Sequence, residues 1–208
     1  MSRQDSEKRK PFLKRQWPLL VAIPLLTVGS WQLGEGVYIH AKATLAQFLL
    51  EKAWAQTLDG ELEVRPWAWA DTWPVARLTA PDHGVDLIVL EGASGRTMAF
   101  GPGRMAGTAA IGQPGLSLIG AHRDTHFSFL QRLQPGDLFQ LQSADGALHN
   151  YRVDLTEIVD HRNVALPSID GHSTVTLVTC YPFDAVSPGG PLRYLVHASP
   201  YREGIVDS

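Results

Sequence analysis

The sequence has a single cysteine, Cys180, so no intrachain disulfide can form and the compartment has to be read from targeting signals. Lysine is scarce as well: beyond Lys14 only Lys42 and Lys52 remain. Of the 18 Lys/Arg in the chain, six fall within residues 1–15 (Arg3, Lys8, Arg9, Lys10, Lys14, Arg15) beside Asp5 and Glu7, which leaves 12 basic against 19 acidic groups behind them. An acidic body offers no surface for neutralising phosphates, and nucleic acid is excluded as a partner on that ground. Internal repeats and low-complexity stretches are also missing. With 44% apolar and 19% charged residues over 208 positions, the chain is ordinary globular material and not a disordered segment.

One stretch lacks charge altogether. Trp17 to Leu33 reads WPLLVAIPLLTVGSWQL, close to the shortest apolar run, about 18 residues, that crosses a bilayer as a helix. We expect a basic tail over 1–16 and a transmembrane anchor over 17–34, kinked at Pro24, with Trp17 and Trp31 at the two interfaces. The basic flank precedes the run, so the positive-inside rule puts the tail in the cytoplasm and the body across the membrane. Ala41-Lys42-Ala43 resembles a signal-peptidase site, but Glu35 and His40 separate it from the apolar run, which fits an uncleaved anchor better. Val37 to Leu58 then reads as a helix, with Ala41, Leu45, Phe48, Leu49 and Lys52 at three- and four-residue spacings and no Pro.

An aromatic and proline-rich passage over 60–74, with Trp67, Trp69 and Trp73, separates that 35–59 segment from a body at 60–208. There, short β-branched or alternating runs are divided by Gly, Pro and Asp turns: Val75–Thr79, Val85–Leu90, Thr108–Ile111, Leu116–Ala121, Leu138–Leu141, Leu148–Val159, Thr174–Cys180 and Arg193–Ala198. Eight such strands predict a mostly β body, either a closed barrel or a sandwich. One helical turn is expected at Phe127–Leu133.

Three strand ends carry the chemistry. Thr176-Leu177-Val178-Thr179-Cys180 ends in the thiol and is broken by Tyr181-Pro182. A thiol acts as a nucleophile through its thiolate, a minor species at neutral pH unless a basic or cationic group stands beside it. His122, where Leu116–Ala121 runs into a loop, and Arg193, opening the strand after the cysteine loop, are the candidates. An imidazole moves the proton, and a guanidinium can donate to an oxyanion. His40, His83, His149, His161 and His172 have no such setting and read as solvated or core residues.

His in GAHRDTHFSFL, Cys in TLVTC and Arg in PLRYLVHA, in that order, resemble a sortase, the cysteine transpeptidase family. The segments PWAWADTWPVARL and FGPGRMAGTAAIGQPG look more narrowly like the sortases of Gram-negative bacteria, the class GN or marine proteobacterial group. Ala121 stands where many relatives carry Gly. The resemblance covers roughly residues 66–200 and implies an eight-stranded β-barrel with Cys180, His122 and Arg193 meeting at one end of a groove. It also implies a substrate protein bearing an LPXTG-like sorting signal, a thioester on Cys180, and an amine as acceptor. A cysteine protease that only hydrolyses and a membrane-tethered barrel that binds without catalysis are the alternative readings.

No cofactor is called for. His122, Asp124 and His126 have the spacing of a metal set, but Arg123 occupies the place where the zincin pattern needs Glu. Asp124 reads instead as a turn cap or a partner of Arg123. Gly101-Pro102-Gly103-Arg104 and Ser187-Pro188-Gly189-Gly190 read as turns, the second placed to shape a groove between Cys180 and Arg193.

Overall fold

The computed structural model describes residues 13–163, 172–187 and 189–201, with side chains from residue 21 onward. The basic tail expected over 1–16 falls almost wholly outside the described residues, as do the side chains of Trp17 and Pro18. The chain divides into two compact units, 1–45 and 46–208.

Two separate helices were expected, and the structure has one: α1 runs from Leu13 to Leu58. Gly34 and Gly36 weaken a helix by about 1 kcal/mol each relative to Ala, which without a cap or a proline does not end it. The end comes at Gly60, whose φ of +95° suits glycine and whose N–H is 3.0 Å from the Thr57 carbonyl oxygen. The expected span at 17–34 is not supported here: among the described residues no helix is long and apolar enough to cross a membrane. Thr27, Gly29, Ser30 and Gln32 dilute the run, and its first four side chains lie outside the description.

In the second unit eight strands close a barrel. They are β1 (Pro74–Ala80), β2 (Val85–Glu91), β3 (Gly103–Arg104), β4 (Gly115–Gly120), β5 (Leu138–Ser143), β6 (Leu148–Asp160), β7 (Ser173–Cys180) and β8 (Leu192–Pro200). The order around the barrel is β1-β2-β3-β4-β7-β8-β6-β5; β2–β3 and β4–β7 pair parallel and the rest antiparallel. A one-turn helix, α2 (Gly95–Met98), precedes β3, and the turn expected at Phe127–Leu133 is a 3-10 helix at Ser128–Arg132.

One strand lies elsewhere than expected. Thr108–Ile111 is irregular, because its backbone has other partners: the Arg104 guanidinium donates to the Thr108 carbonyl at 2.8 Å, and the Ser117 hydroxyl to that of Ala109 at 2.9 Å. The missing strand is β3, inside the Gly101–Arg104 segment expected to be a turn.

Alternation along the strands sorts the side chains. Leu78, Val89, Ile119, Leu141, Tyr151, Val153, Val175, Leu177 and Val196 fill the interior with Phe127, Phe129 and Leu130 from the 3-10 region. Outside, Leu50 and Trp54 from the end of α1 pack with Ile88, Leu90, Trp67 and Phe100, the last two edge-to-face at 4.8 Å. Of the expected tryptophan cluster, Trp67 is thus a packing residue, whereas Trp69 is 84% exposed.

Closure depends on the two residues of β3. A Cβ added at Gly103 would lie 2.2 Å from the Gly92 carbonyl oxygen, a backbone atom that no rotamer change moves away. We predict that Gly103→Ala destabilises the protein by about 1–3 kcal/mol, the range for overpacking, read as a lower urea midpoint at unchanged slope.

Candidate functional site

Strand β7 carries the cysteine at its last position and has β4 on one side and β8 on the other. In the antiparallel β7–β8 ladder Cys180 stands directly opposite Arg193. The parallel β4–β7 ladder runs from Gly115 opposite Ser173 to Gly120 opposite Val178, and the Ala121 N–H extends it by donating to the Val178 carbonyl at 3.2 Å. Carried one step further, the register puts His122 level with Cys180. Cys180 and Arg193, opposite each other in the ladder, therefore share a face, and His122 stands two residues past the end of the neighbouring strand β4.

That face is the outer one. Val175 and Leu177 of β7, Ile119 and Ala121 of β4, and Val196 and Ala198 of β8 belong to the interior core, so the alternate positions 118, 120, 176, 178, 180, 193, 195 and 197 look outward. At the row itself His122 is exposed, and Cys180 and Arg193 are half-buried. Arg193 donates from Nη1 to the carbonyls of Gly190 and Leu192, both at 2.8 Å, which turns the guanidinium toward the loop that joins β7 to β8.

The backbone leading to His122 is pinned by a residue the sequence reading passed over. Thr179 is 2% exposed, and its hydroxyl donates to the Ala121 carbonyl at 2.7 Å. Its place one position before the cysteine, on the interior face, was the available signal. His126 lies near His122: burial first, and the neighbouring His122 second, push its imidazole below the ordinary histidine range. Among the described residues no group of three His, Cys, Asp or Glu is arranged to hold a metal. Asp124 is exposed, and the 3-10 helix nearby has no side-chain cap; the Arg123 guanidinium is directed to Ala185 and Ser187 carbonyls instead.

One row group lower on the same face, His197 donates from Nε2 to Glu157 of β6 at 2.9 Å, and its Nδ1 hydrogen-bonds the Thr176 hydroxyl at 3.0 Å. This hydroxyl–imidazole–carboxylate chain ties β7, β8 and β6 together. Thr176 is 1% exposed, so the hydroxyl is closed to substrate and the chain is structural. At the rim, Tyr181, Phe183 and Tyr194 form an aromatic cluster with centroids 5.3–6.3 Å apart. His161, read as a solvated residue, places its Nδ1 2.7 Å from the Pro191 carbonyl oxygen.

We predict that Thr179→Val, which keeps the shape and strand propensity but leaves the buried Ala121 carbonyl without this donor, costs about 1–3 kcal/mol. Thr179→Ser restores most of it. Chemical unfolding of the two variants checks the difference.

A family model described as a sortase domain matches residues 78–201. Comparison with curated proteins finds no match. Among solved structures, sortase C-1 from Actinomyces oris is 30% identical, with a TM-score of 0.56 over 62% of this chain and 75% of that one. Sortase C-1 from Streptococcus pneumoniae is 27% identical, with a TM-score of 0.56 over 62% and 67%. Sortase A from Corynebacterium diphtheriae, 24% identical with a TM-score of 0.59 over 72% and 70%, agrees in fold.

Proposed function

The chain belongs to the sortase family and is in general terms a cysteine transpeptidase; from that premise we propose that it cleaves an LPXTG-like sorting signal and transfers the acyl part to an amine. The observation that carries the reading is the cross-strand pair of Cys180 and Arg193 at the ends of β7 and β8, with His122 two residues past the end of the neighbouring β4. In the proposed reaction the Cys180 thiolate attacks the carbonyl carbon of the signal's Thr, and the electron pair moves to the oxygen. The tetrahedral intermediate collapses to a thioester as the C–N bond breaks and His122 gives a proton to the departing amine. The incoming amine then attacks the thioester, His122 takes its proton, and Cys180 leaves as thiolate.

Arg193 is the proposed donor to the oxyanion. Its hydrogen bonds to Gly190 and Leu192 use Nη1, and Nη2 and Nε complete a planar fork. Water in place of the amine gives hydrolysis by the same steps, so the outcome turns on which nucleophile reaches the thioester first.

The localisation is proposed from the sequence: residues 17–34 hold the chain in the inner membrane with its N-terminus cytoplasmic and the catalytic domain on the far side, the periplasm in the Gram-negative reading. The uncharged run behind a basic flank supports this, as does the exposure of Leu25, Leu26 and Trp31 on α1, at 67%, 69% and 71%. Alkaline carbonate extraction of membranes is expected to leave the intact chain in the pellet. A soluble product beginning near Thr44 overturns the anchor.

For the reaction, the protein is incubated with an LPXTG-type peptide and a set of amines, and products are identified by mass spectrometry. Cys180→Ala is expected to be folded and inactive. Arg193→Lys is expected to lose on the order of 10²-fold in kcat, since an ammonium is a point charge without the fork. An active Cys180→Ala protein overturns the thioester route, and near-normal turnover by Arg193→Lys removes Arg193 from it.

A further inference from the structure

Arg123 follows His122 directly and is the one described residue between 122 and 127 that hydrogen-bonds to the loop joining β7 to β8. Its Nη2 donates to the Ala185 carbonyl at 2.9 Å and to the Ser187 carbonyl at 3.0 Å, while Nη1 is buried without a partner among the described residues. The base of this loop has its own supports. Tyr181 N–H donates to the Leu192 carbonyl at 3.1 Å, Phe183 and Tyr194 pack on the core, and His161 holds Pro191. The tip has little: Asp184 and Ser187 are exposed, Val186 is 100% exposed, and only Ala185 among these four is half-buried. Among the described residues, the hydrogen bonds that tie it to the rest of the domain, apart from the local Ala185 N–H to Pro182 carbonyl contact, come from the Arg123 guanidinium.

The geometry points to Arg123 as a positioning residue, a clamp that holds the His122 loop and the tip of the Cys180–Arg193 loop in one arrangement across the site. The inference rests on the transpeptidase reading above for its catalytic consequence and on the two hydrogen bonds for its structural one. A guanidinium reaches two carbonyls from one rigid plane, and charge-assisted bonds of this kind are stronger than neutral ones. Releasing it frees the tip of the loop that leads from Cys180 to Arg193, and loosens the backbone that carries the imidazole. Misplacement by about 1 Å at a reacting centre is enough to cost about 10²-fold in rate. Arg123 itself touches neither the thiol nor the reacting atoms in this scheme.

The test uses the full chain, as wild type, Arg123→Ala and Arg123→Lys, with four readouts: amide hydrogen exchange over 184–187, alkylation of Cys180 by iodoacetamide, kcat and KM with the LPXTG-type peptide, and the thermal midpoint. Arg123→Ala is expected to exchange faster at the loop tip, to alkylate at an altered rate and to lose about 10-fold to 10²-fold in kcat/KM, at a nearly unchanged midpoint. Arg123→Lys, reaching one carbonyl at a time, is expected to recover part of each. A folded Arg123→Ala protein with unchanged exchange overturns the clamp. So does a loss of activity that merely tracks a fall in the midpoint and that Lys does not relieve. If the wild type does not process the peptide, the reaction reading fails by itself, and exchange and alkylation still decide whether Arg123 holds the loop.

Discussion

The register of β7 is the constraint on which the site depends. Val175 and Leu177 are buried in the barrel interior opposite Ala198 and Val196 of β8 and beside Ser117 and Ile119 of β4. Burying a side chain of that size is worth about 1.5–3 kcal/mol, and a slip by one residue would turn all of them to the other face. The single hydrogen bonds between strands contribute about 0.5–1.5 kcal/mol each, so packing, and not the ladder, decides the register. Once it is set, Cys180 must face outward at the end of the strand, with Arg193 opposite.

Position beyond the strand ends needs other devices. His122 lies past the last paired residue of β4, where alternation no longer binds the chain. There the Ala121 peptide is held from both sides, its N–H by the Val178 carbonyl and its carbonyl by the Thr179 hydroxyl. Thr179 is thus an interior residue with a task at the site next to it: it spends a buried polar group on a buried carbonyl, each satisfying the other. The imidazole itself is left exposed.

Much of this was legible in the sequence because the strands are short and bounded by Gly, Pro and Asp. Seven of the eight expected runs are strands within a residue or two, and Cys180 and Arg193 stand opposite each other at the ends of β7 and β8. β3 was not legible, since two residues with glycine at one of them carry no periodicity, and its existence follows from where Gly103 is allowed to approach Gly92. Thr108–Ile111 has the composition of a strand but loses its backbone partners to the Arg104 and Ser117 side chains. The continuous α1 reads as two segments because the uncharged run stops before Glu35, a change in composition that does not interrupt a helix. From the sequence Arg123 reads as a cation hostile to a metal or a partner of Asp124, because its partners, the carbonyls of residues 185 and 187, are backbone atoms that no side-chain pattern records.

The outer face of β4, β7 and β8 explains why a barrel of this size can carry a site on its wall. Away from the row of Cys180 much of that face is covered: Leu118 and Leu195 are 6% and 3% exposed, and the buried Thr176 is joined through the half-buried His197 to Glu157, whose carboxylate is exposed on β6. The buried Thr176 hydroxyl is tolerable because the imidazole partners it; removing the imidazole would strand that hydroxyl at a cost of about 1–3 kcal/mol. At the strand ends the cover thins further, and there the chain turns into loops that leave His122 exposed and Cys180 and Arg193 half-buried. Rigidity and access are therefore separated along one strand: the closed part of β7 fixes the geometry, and its last residue meets the solvent.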